Sequence, residues 1–449
     1  MIYQTTTGND ELARKHKQYV LTPWVAQAAH SAPTIVRGER AHIFDADGNA
    51  YLDLSSGLVA TNLGHGHPRV VSALREQAER ICYVPPALFS DVRAELAEEL
   101  VALAPWREGG RAYFTAGGAE ANEDAMKLAR AITGRAKILT AYRSFHGSSF
   151  GASTLSGENR RWGAEPGLAG VVHFFAPFPY RSPFHTFEPQ EEVRRALAHL
   201  ADVMAYENPR SIAAVLLEPV VGSNGVIVYP EGYLAGARAL CDEYGILLVF
   251  DEVMTGFGRT GAAFAGERFG VAADLITFAK GVTSGYVPLG GVLVRESLAA
   301  TFDERPLVMG YTYSGHPLAM ATARAALAAY RDEGLFGRAR EIEKRLRQGL
   351  GALAAQHPVI GEARGVGAFF ALEFVRDRET REPLVAWQGA GPGIMTTFFA
   401  ALRRRGAYAF GRYNTVVIAP PLVITDAELD AGLGALGGAV EELEAAASR

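Results

Sequence analysis

The chain has 449 residues, a formal net charge of −5 and a pI of about 6.2. That length buries ample apolar surface and makes two domains the fair expectation, while the acidic balance argues against a nucleic-acid partner. Two cysteines without disulfide or metal spacing, Cys82 and Cys241, fit a reducing, cytoplasmic compartment, and no apolar run approaches the roughly 20 residues of a membrane span.

Met1 to Asp10 is polar and has no apolar signal core. His42-Ile43-Phe44 and Tyr51-Leu52-Asp53-Leu54 read as strands around a turn at Asp47-Gly48. The string Asp45-x-Asp47-Gly48-Asn49 is a turn rather than a calcium loop, because its Gly comes early and Ser56 stands where a bidentate Glu is needed. His65-x-His67 has no evident third metal ligand and reads as a loop before a helix starting near Pro68. Helix signals then cover 69–80, 91–104, 119–132, 189–204 and 231–244, and strand signals cover 111–115, 137–142, 212–217, 245–250, 274–279 and 290–295. This alternation predicts an α/β domain over 65–316, with a mostly parallel sheet covered by helices on both faces.

The last stretch, 317–449, is α+β. A long Ala/Leu/Arg-rich helix pattern (317–356) leads to a strand over 365–374, a Gly-rich polar stretch at 386–393 that reads as a mobile loop, and a further helix. That helix ends in Arg403-Arg404-Arg405, a solvated basic end; a strand near 415–418 and a helix over 426–446 close the chain. Residues 1–64 and 317–449 are expected to form one smaller domain built from both termini.

The chemistry concentrates at two strand ends. Asp251 ends the apolar run Ile246-Leu247-Leu248-Val249-Phe250, and Lys280 ends Leu275-Ile276-Thr277-Phe278-Ala279. In neighbouring parallel strands they project from the C-terminal edge, where open α/β sheets bind ligands. An amine for a Schiff base and an acid for a pyridinium nitrogen are what pyridoxal 5′-phosphate (PLP) requires. Thr115-Ala116-Gly117-Gly118-Ala119-Glu120-Ala121-Asn122 follows a strand and opens a helix, which makes an anion site from free N–H groups. Phe145 and Val253 are placed to cover the two faces of a flat ring. Gly256-Phe257-Gly258-Arg259-Thr260-Gly261 spells a dinucleotide fingerprint, but five residues separate it from its strand and no acid ends a strand about 20 residues on, so it reads as a tight loop.

At these residues the chain resembles the class III (ω-type) aminotransferases, PLP enzymes of fold type I, from about residue 20 to 446. The strings that carry the resemblance are Asp251-Glu252-Val253-Met254-Thr255-Gly256-Phe257-Gly258-Arg259-Thr260-Gly261, Phe278-Ala279-Lys280-Gly281 and Tyr311-Thr312-Tyr313-Ser314-Gly315-His316-Pro317, with Glu218-Pro219-Val220-Val221-Gly222 and Phe145-His146-Gly147 in support. The resemblance implies that Lys280 holds the cofactor as an imine and Asp251 meets its ring nitrogen. Phe145 and Val253 would sandwich the ring, with His146 beside it. Gly118 and Ala119 would bind the phosphate, joined by Thr312 from a neighbouring subunit of a homodimer. Glu218 would be a supporting acid.

Two departures stand out. Gly117-Gly118-Ala119 lacks the hydroxyls the family often has in its phosphate cup, and Met254 replaces a Gln that can hydrogen-bond the cofactor. Thr283-Ser284-Gly285-Tyr286-Val287-Pro288-Leu289-Gly290 looks like the amine:pyruvate and taurine:pyruvate branch. Arg412 lies near where that branch places a mobile carboxylate-binding Arg, and Leu58, Val59, Tyr83, Leu88 and Phe89 are candidates for the pocket wall.

The leading expectation is a ping-pong aminotransferase that moves an amino group from an amine or ω-amino acid to a keto acid, pyruvate first. A glutamate-1-semialdehyde-type aminomutase and a PLP-dependent decarboxylase are alternatives on the same scaffold, and a dinucleotide-binding module is the non-enzyme alternative. The natural donor, the acceptor and the pairing of dimers into tetramers stay open.

Overall fold

The computed structural model describes residues 9–387 and 393–447. Its centre is a seven-stranded sheet: β1 (Gly110–Thr115), β2 (Lys137–Ala141), β3 (Val171–Phe174), β4 (Ile212–Leu217), β5 (Leu247–Asp251), β6 (Leu275–Phe278) and β7 (Gly290–Arg295), in the order β3-β2-β4-β5-β6-β7-β1. The pairs β2–β3, β2–β4, β4–β5 and β5–β6 are parallel, and β7 runs antiparallel to both its neighbours. Every residue of β4, β5 and β6 is buried. That is why these strands read as unbroken apolar runs: a parallel sheet has both faces covered by helices. β3 escaped the sequence reading because it is a four-residue edge strand, half-buried at three positions and carrying His173.

Two larger sheets flank this core, besides a two-stranded pair of Val220–Val221 and Ile227–Val228. Ile35–Glu39, His42–Asp45 and Ala50–Asp53 form an antiparallel meander, and Ala407–Tyr408 joins it parallel to Ala50–Asp53. Segments from both ends of the chain therefore share one sheet. The turn at Asp47-Gly48 is an Asx turn, with Asp45 Oδ1 accepting from the N–H of Asp47 (3.1 Å) and Asn49 (2.9 Å). The other sheet contains Ile360–Val366, Phe369–Asp377, Thr415–Ile418 and Phe410–Arg412.

Three expectations need correction or fall outside. The run 365–374, expected as one strand, crosses a hairpin turn at Gly367, whose φ is +61° and whose Cβ would lie 2.4 Å from the Arg259 carbonyl oxygen. The helical pattern 317–356 is two helices, Pro317–Asp332 and Leu335–Gln356, broken at Gly334 with φ +64°. Of the stretch 386–393, residues 388–392 lie outside the described residues.

The Gly256–Gly261 loop is packed from the C-terminal part of the chain. A Cβ on Gly258 would lie 2.8 Å from Phe336, and one on Gly261 would lie 2.8 Å from Arg340. Arg259 is fully buried and donates to the carbonyls of Ala368 (2.9 Å) and Pro420 (2.7 Å) and to Asn62 Oδ1 (2.5 Å). The glycines serve close packing around that clamp. Among the described residues, no helix is long and apolar enough to cross a membrane.

Candidate active site

Asp251 is the last residue of β5 and pairs in register with Thr277 of β6; Lys280 follows three residues later. The carboxylate is 3 % exposed. Its Oδ2 accepts from the side-chain amide of Asn122 (2.8 Å) and meets His146 Nδ1 (2.7 Å). Its Oδ1 accepts from the Val253 N–H (3.0 Å) and the Thr277 hydroxyl (3.4 Å). Around it, Asn122 also donates to the His146 carbonyl (2.8 Å) and accepts from Thr277 (2.7 Å), while His146 Nε2 lies 3.2 Å from the Thr140 hydroxyl. A buried charge is tolerated when its oxygens are satisfied in this way. The network also fixes where the carboxylate points.

Lys280 sits in a left-handed backbone conformation, φ +46°, which costs a non-glycine residue on the order of 1–3 kcal/mol. Among the described residues its ammonium has no hydrogen-bond partner, and burial pushes its pKa down to about 8, against the opposing pull of Asp251 and Glu218. Glu218 is 3 % exposed and accepts from the N–H groups of Phe145 (2.9 Å) and Gly222 (2.7 Å). Burial raises its pKa to about 7, with the Asp251 charge adding to the rise.

PLP needs an amine, an acid for its ring nitrogen, cover for two ring faces and donors for its phosphate. Lys280 and Asp251 supply the first two. Val253 is held by its own N–H on Asp251, and Phe145 by its N–H on Glu218. Gly118 opens the helix Gly118–Thr133, so its N–H and that of Ala119 have no intrahelical acceptor and lie at the positive end of the helix dipole. A Cβ on Gly118 would lie 2.9 Å from Val253 Cγ1, so the phosphate turn and the ring cover press directly on each other. The residue set fits PLP. Met254 packs against Gly222 in an apolar cluster with Val59, Val220 and Val226.

The substrate side is less complete within one chain. Arg412 is engaged by Glu158 Oε2 (2.6 Å), Asn159 Oδ1 (2.5 Å) and the Tyr413 hydroxyl (2.9 Å). Glu158 is 2 % exposed and also pairs with Arg160, whose guanidinium lies 3.5 Å from the Phe145 ring centroid and donates to Ser223 (2.8 Å). Of the expected wall residues, Val59 is core. Leu58, Tyr83, Leu88 and Phe89 are exposed at the chain surface, as is Thr312, whose carbonyl accepts from the Tyr83 hydroxyl (3.0 Å).

Sequence reasoning did not single out Asn122, Thr277, Glu158 or Arg160. The only available signals were Asn122 at the end of the Gly-rich motif and the charged string Glu158-Asn159-Arg160-Arg161.

The comparisons with known proteins give the family of the chain. Residues 25–440 match the family described as Aminotransferase class-III. A probable gamma-aminobutyrate transaminase 4 of Oryza sativa subsp. japonica is 33% identical over 97% of this chain and 93% of its own length. The 5-aminovalerate aminotransferase of Pseudomonas aeruginosa is 33% identical over 91% of this chain and 93% of its own. Among solved structures, a taurine:2-oxoglutarate aminotransferase from Bifidobacterium kashiwanohense, in complex with PLP and glutamate, superposes with a TM-score of 0.94 at 41% identity, covering 97% of this chain and 98% of that one. The dinucleotide-binding alternative falls with this match. The chain belongs to the class III aminotransferases, PLP-dependent enzymes of fold type I.

Proposed function

We propose that the enzyme transfers an amino group from an amine or ω-amino acid to a keto acid, pyruvate first, in two ping-pong half-reactions. The observation that carries the reading is a wired carboxylate, Asp251, beside an amine of lowered proton affinity, Lys280, at the same edge of neighbouring parallel strands. Bound PLP supplies an electron sink for the donor's α-carbon. Asp251 keeps a proton on the ring nitrogen, and Asn122, His146 and Thr277 keep Asp251 aimed. Lys280 would hold the aldehyde carbon until the donor amine displaces it, and the Nζ so freed, its proton affinity lowered by burial, would then take and return the α-proton. Phe145 and Val253 flank the ring, and Glu218 steadies Phe145 through its N–H. The N–H groups of Gly118 and Ala119 hold the phosphate together with the partner subunit's Thr312.

Arg412 takes the acceptor carboxylate after leaving Glu158, in the bidentate geometry that arginine offers. The exposed Leu58, Tyr83 and Phe89 become pocket wall in a homodimer, whose interface would cover apolar groups that a single chain leaves in solvent; Val59 stays in the core. The activities for which the relatives are named support donors that carry an acid at one end and an amine at the other. The same reading keeps the protein cytoplasmic and divides it at 64/65 and 316/317.

The test is a donor panel with the holoenzyme: β-alanine, taurine, 4-aminobutyrate, 5-aminovalerate and an arylalkyl amine, each with pyruvate or 2-oxoglutarate. One keto acid consumed per donor converted supports transfer. Donor isomerisation without a keto acid, or carbon dioxide release, would replace it with the mutase or decarboxylase chemistry.

A further inference from the structure

Behind Arg412 lies a small cavity of about 140 Å³, lined among others by Arg143, Arg181, Asn224, Glu373, Trp387 and Arg412. It has room for several waters, or one compact organic anion. Its wall is rich in donors that have nothing to donate to. The side chain of Arg143 makes no hydrogen bond or ion pair among the described residues; its guanidinium sits between the rings of Trp387 (4.6 Å) and Phe178 (5.2 Å). Arg181 Nη2 and Trp387 Nε1 are buried and have no partner among the described residues. Asn224 Oδ1 is a buried acceptor in the same condition.

The charges around the cavity do not cancel. Glu373 is shared by Arg181 and Arg364 (2.7 Å to the latter), and Glu362 pairs with Arg364. Arg412 shares Glu158 with Arg160. Arg143 is left over. Burial, aided by Arg364 and Arg181 and opposed by Glu373, pushes the Arg143 guanidinium down to about 10. It is still fully cationic at neutral pH. A half-buried cation with no ion-pair partner among the described residues, next to N–H groups without an acceptor, favours an acceptor in the space between them.

We infer that this cavity binds a small oxyanion, a carboxylate or sulfonate, held by Arg143, Arg181 Nη2 and Trp387 Nε1. The site is defined by groups outside the Asp251–Lys280 centre and stands whether or not Arg412 receives the acceptor carboxylate. The oxyanion has two sources with the same chemistry: a free anion from solution, or the far end of a dicarboxylic acceptor whose near end is at Arg412.

The experiment uses the holoenzyme at constant ionic strength, titrated with acetate, with methanesulfonate and with neutral acetamide, and read by tryptophan fluorescence. The expected result is saturable quenching by the two anions but not by acetamide, lost in Trp387→Phe and shifted at least tenfold to weaker binding in Arg143→Met. Crystals soaked in bromide are expected to show an anomalous peak beside Arg143 and Arg181, a reading that needs no variant to fold. To separate the sources, Arg143→Met is assayed with pyruvate and 2-oxoglutarate. A rise in KM of about tenfold for 2-oxoglutarate alone assigns the cavity to the acceptor's far end. Equal KM changes together with the anion quenching assign it to a free anion. No saturable binding in wild-type protein, an unchanged Arg143→Met titration, or crystals holding only water in the cavity would overturn the proposal while leaving the transfer reaction standing.

Discussion

Asp251 is 3 % exposed and has donors on both carboxylate oxygens, whereas Phe89, a candidate for the substrate wall, stands wholly in solvent. The contrast extends to their neighbours. His146, Asn122 and Thr277 are buried and bonded to one another, while Leu58, Tyr83, Leu88 and Thr312 lie at the surface. A single chain thus arranges the groups that handle protons and charge, where misplacement by an ångström is expensive. It leaves the groups that would select a substrate in need of a second surface. Substitutions at the centre should therefore act on turnover whatever the donor, and substitutions at the rim on the choice of substrate.

The largest effect is expected at Lys280. Lys280→Ala removes both the covalent hold and the proton carrier, and keto-acid consumption should fall by about a thousandfold or more. Borohydride reduction of wild-type holoenzyme should leave a pyridoxyl label on residue 280; parental turnover in the variant would sink the assignment. Next come two adjacent acids with opposite jobs. Asp251→Asn should lower kcat by about a hundredfold or more, because the negative charge that retains the ring proton is gone. Glu252, also buried, accepts from Thr255 (2.5 Å), Ala265 N–H (2.8 Å) and Gly266 N–H (2.9 Å), and burial raises its pKa to about 7. It fastens the helix Ala265–Phe269 rather than the cofactor. Glu252→Gln should cost on the order of 1–3 kcal/mol of stability, read as a lower Tm, with turnover per loaded site within about twofold of wild type. A kcat loss there matching that of Asp251→Asn would erase the distinction.

The residues of the centre differ in how legible they were. Asp251 and Lys280 could be read because each closes a buried apolar strand. The Gly118 turn could be read because a Gly pair between strand and helix lets a ligand approach backbone N–H groups closely. Asn122 was invisible as an orienting residue: its partners Asp251 and Thr277 lie 129 and 155 positions away, and only the sheet order brings them together. Nothing in the local sequence sets Glu158 and Arg160 apart, and only the fold buries Glu158 between two arginines. The single strand expected over 365–374 failed for a local reason, since Gly367 breaks a run whose apolar residues lie on both sides of a hairpin. The exposed rim was read as pocket wall only through family resemblance, and a lone chain supplies no packing to test it.

Arg412 lies between centre and rim, and it sharpens the comparison at an intermediate size. Arg412→Ala should raise KM for pyruvate by about ten- to a hundredfold, while a neutral aldehyde acceptor changes only by a few-fold, because only the carboxylate loses a bidentate partner. Equal losses for both acceptors would remove Arg412 from the anion role. Glu158→Gln addresses the competition directly. With the Glu158 carboxylate neutralised, Arg412 is held less firmly, and KM for pyruvate should fall by a few-fold while the aldehyde is unaffected.

The smallest effect concerns the proton on Lys280. Its amine attacks an aldehyde only when neutral, and with a pKa of about 8 the neutral fraction is about a tenth at pH 7 and about nine-tenths at pH 9. Loading of apo-protein with PLP, trapped by borohydride and counted at residue 280, should therefore quicken about tenfold between pH 7 and 9 and level off above. An ordinary exposed lysine would keep gaining up to its usual range near 10.5. Glu218 fixes the sign. Its negative charge holds the Lys280 pKa up against burial, so Glu218→Gln should move the midpoint of the loading curve to lower pH. A midpoint that stays near 10.5, or that moves upward in the variant, would mean that the buried centre does not set the proton affinity of the amine on which the chemistry depends.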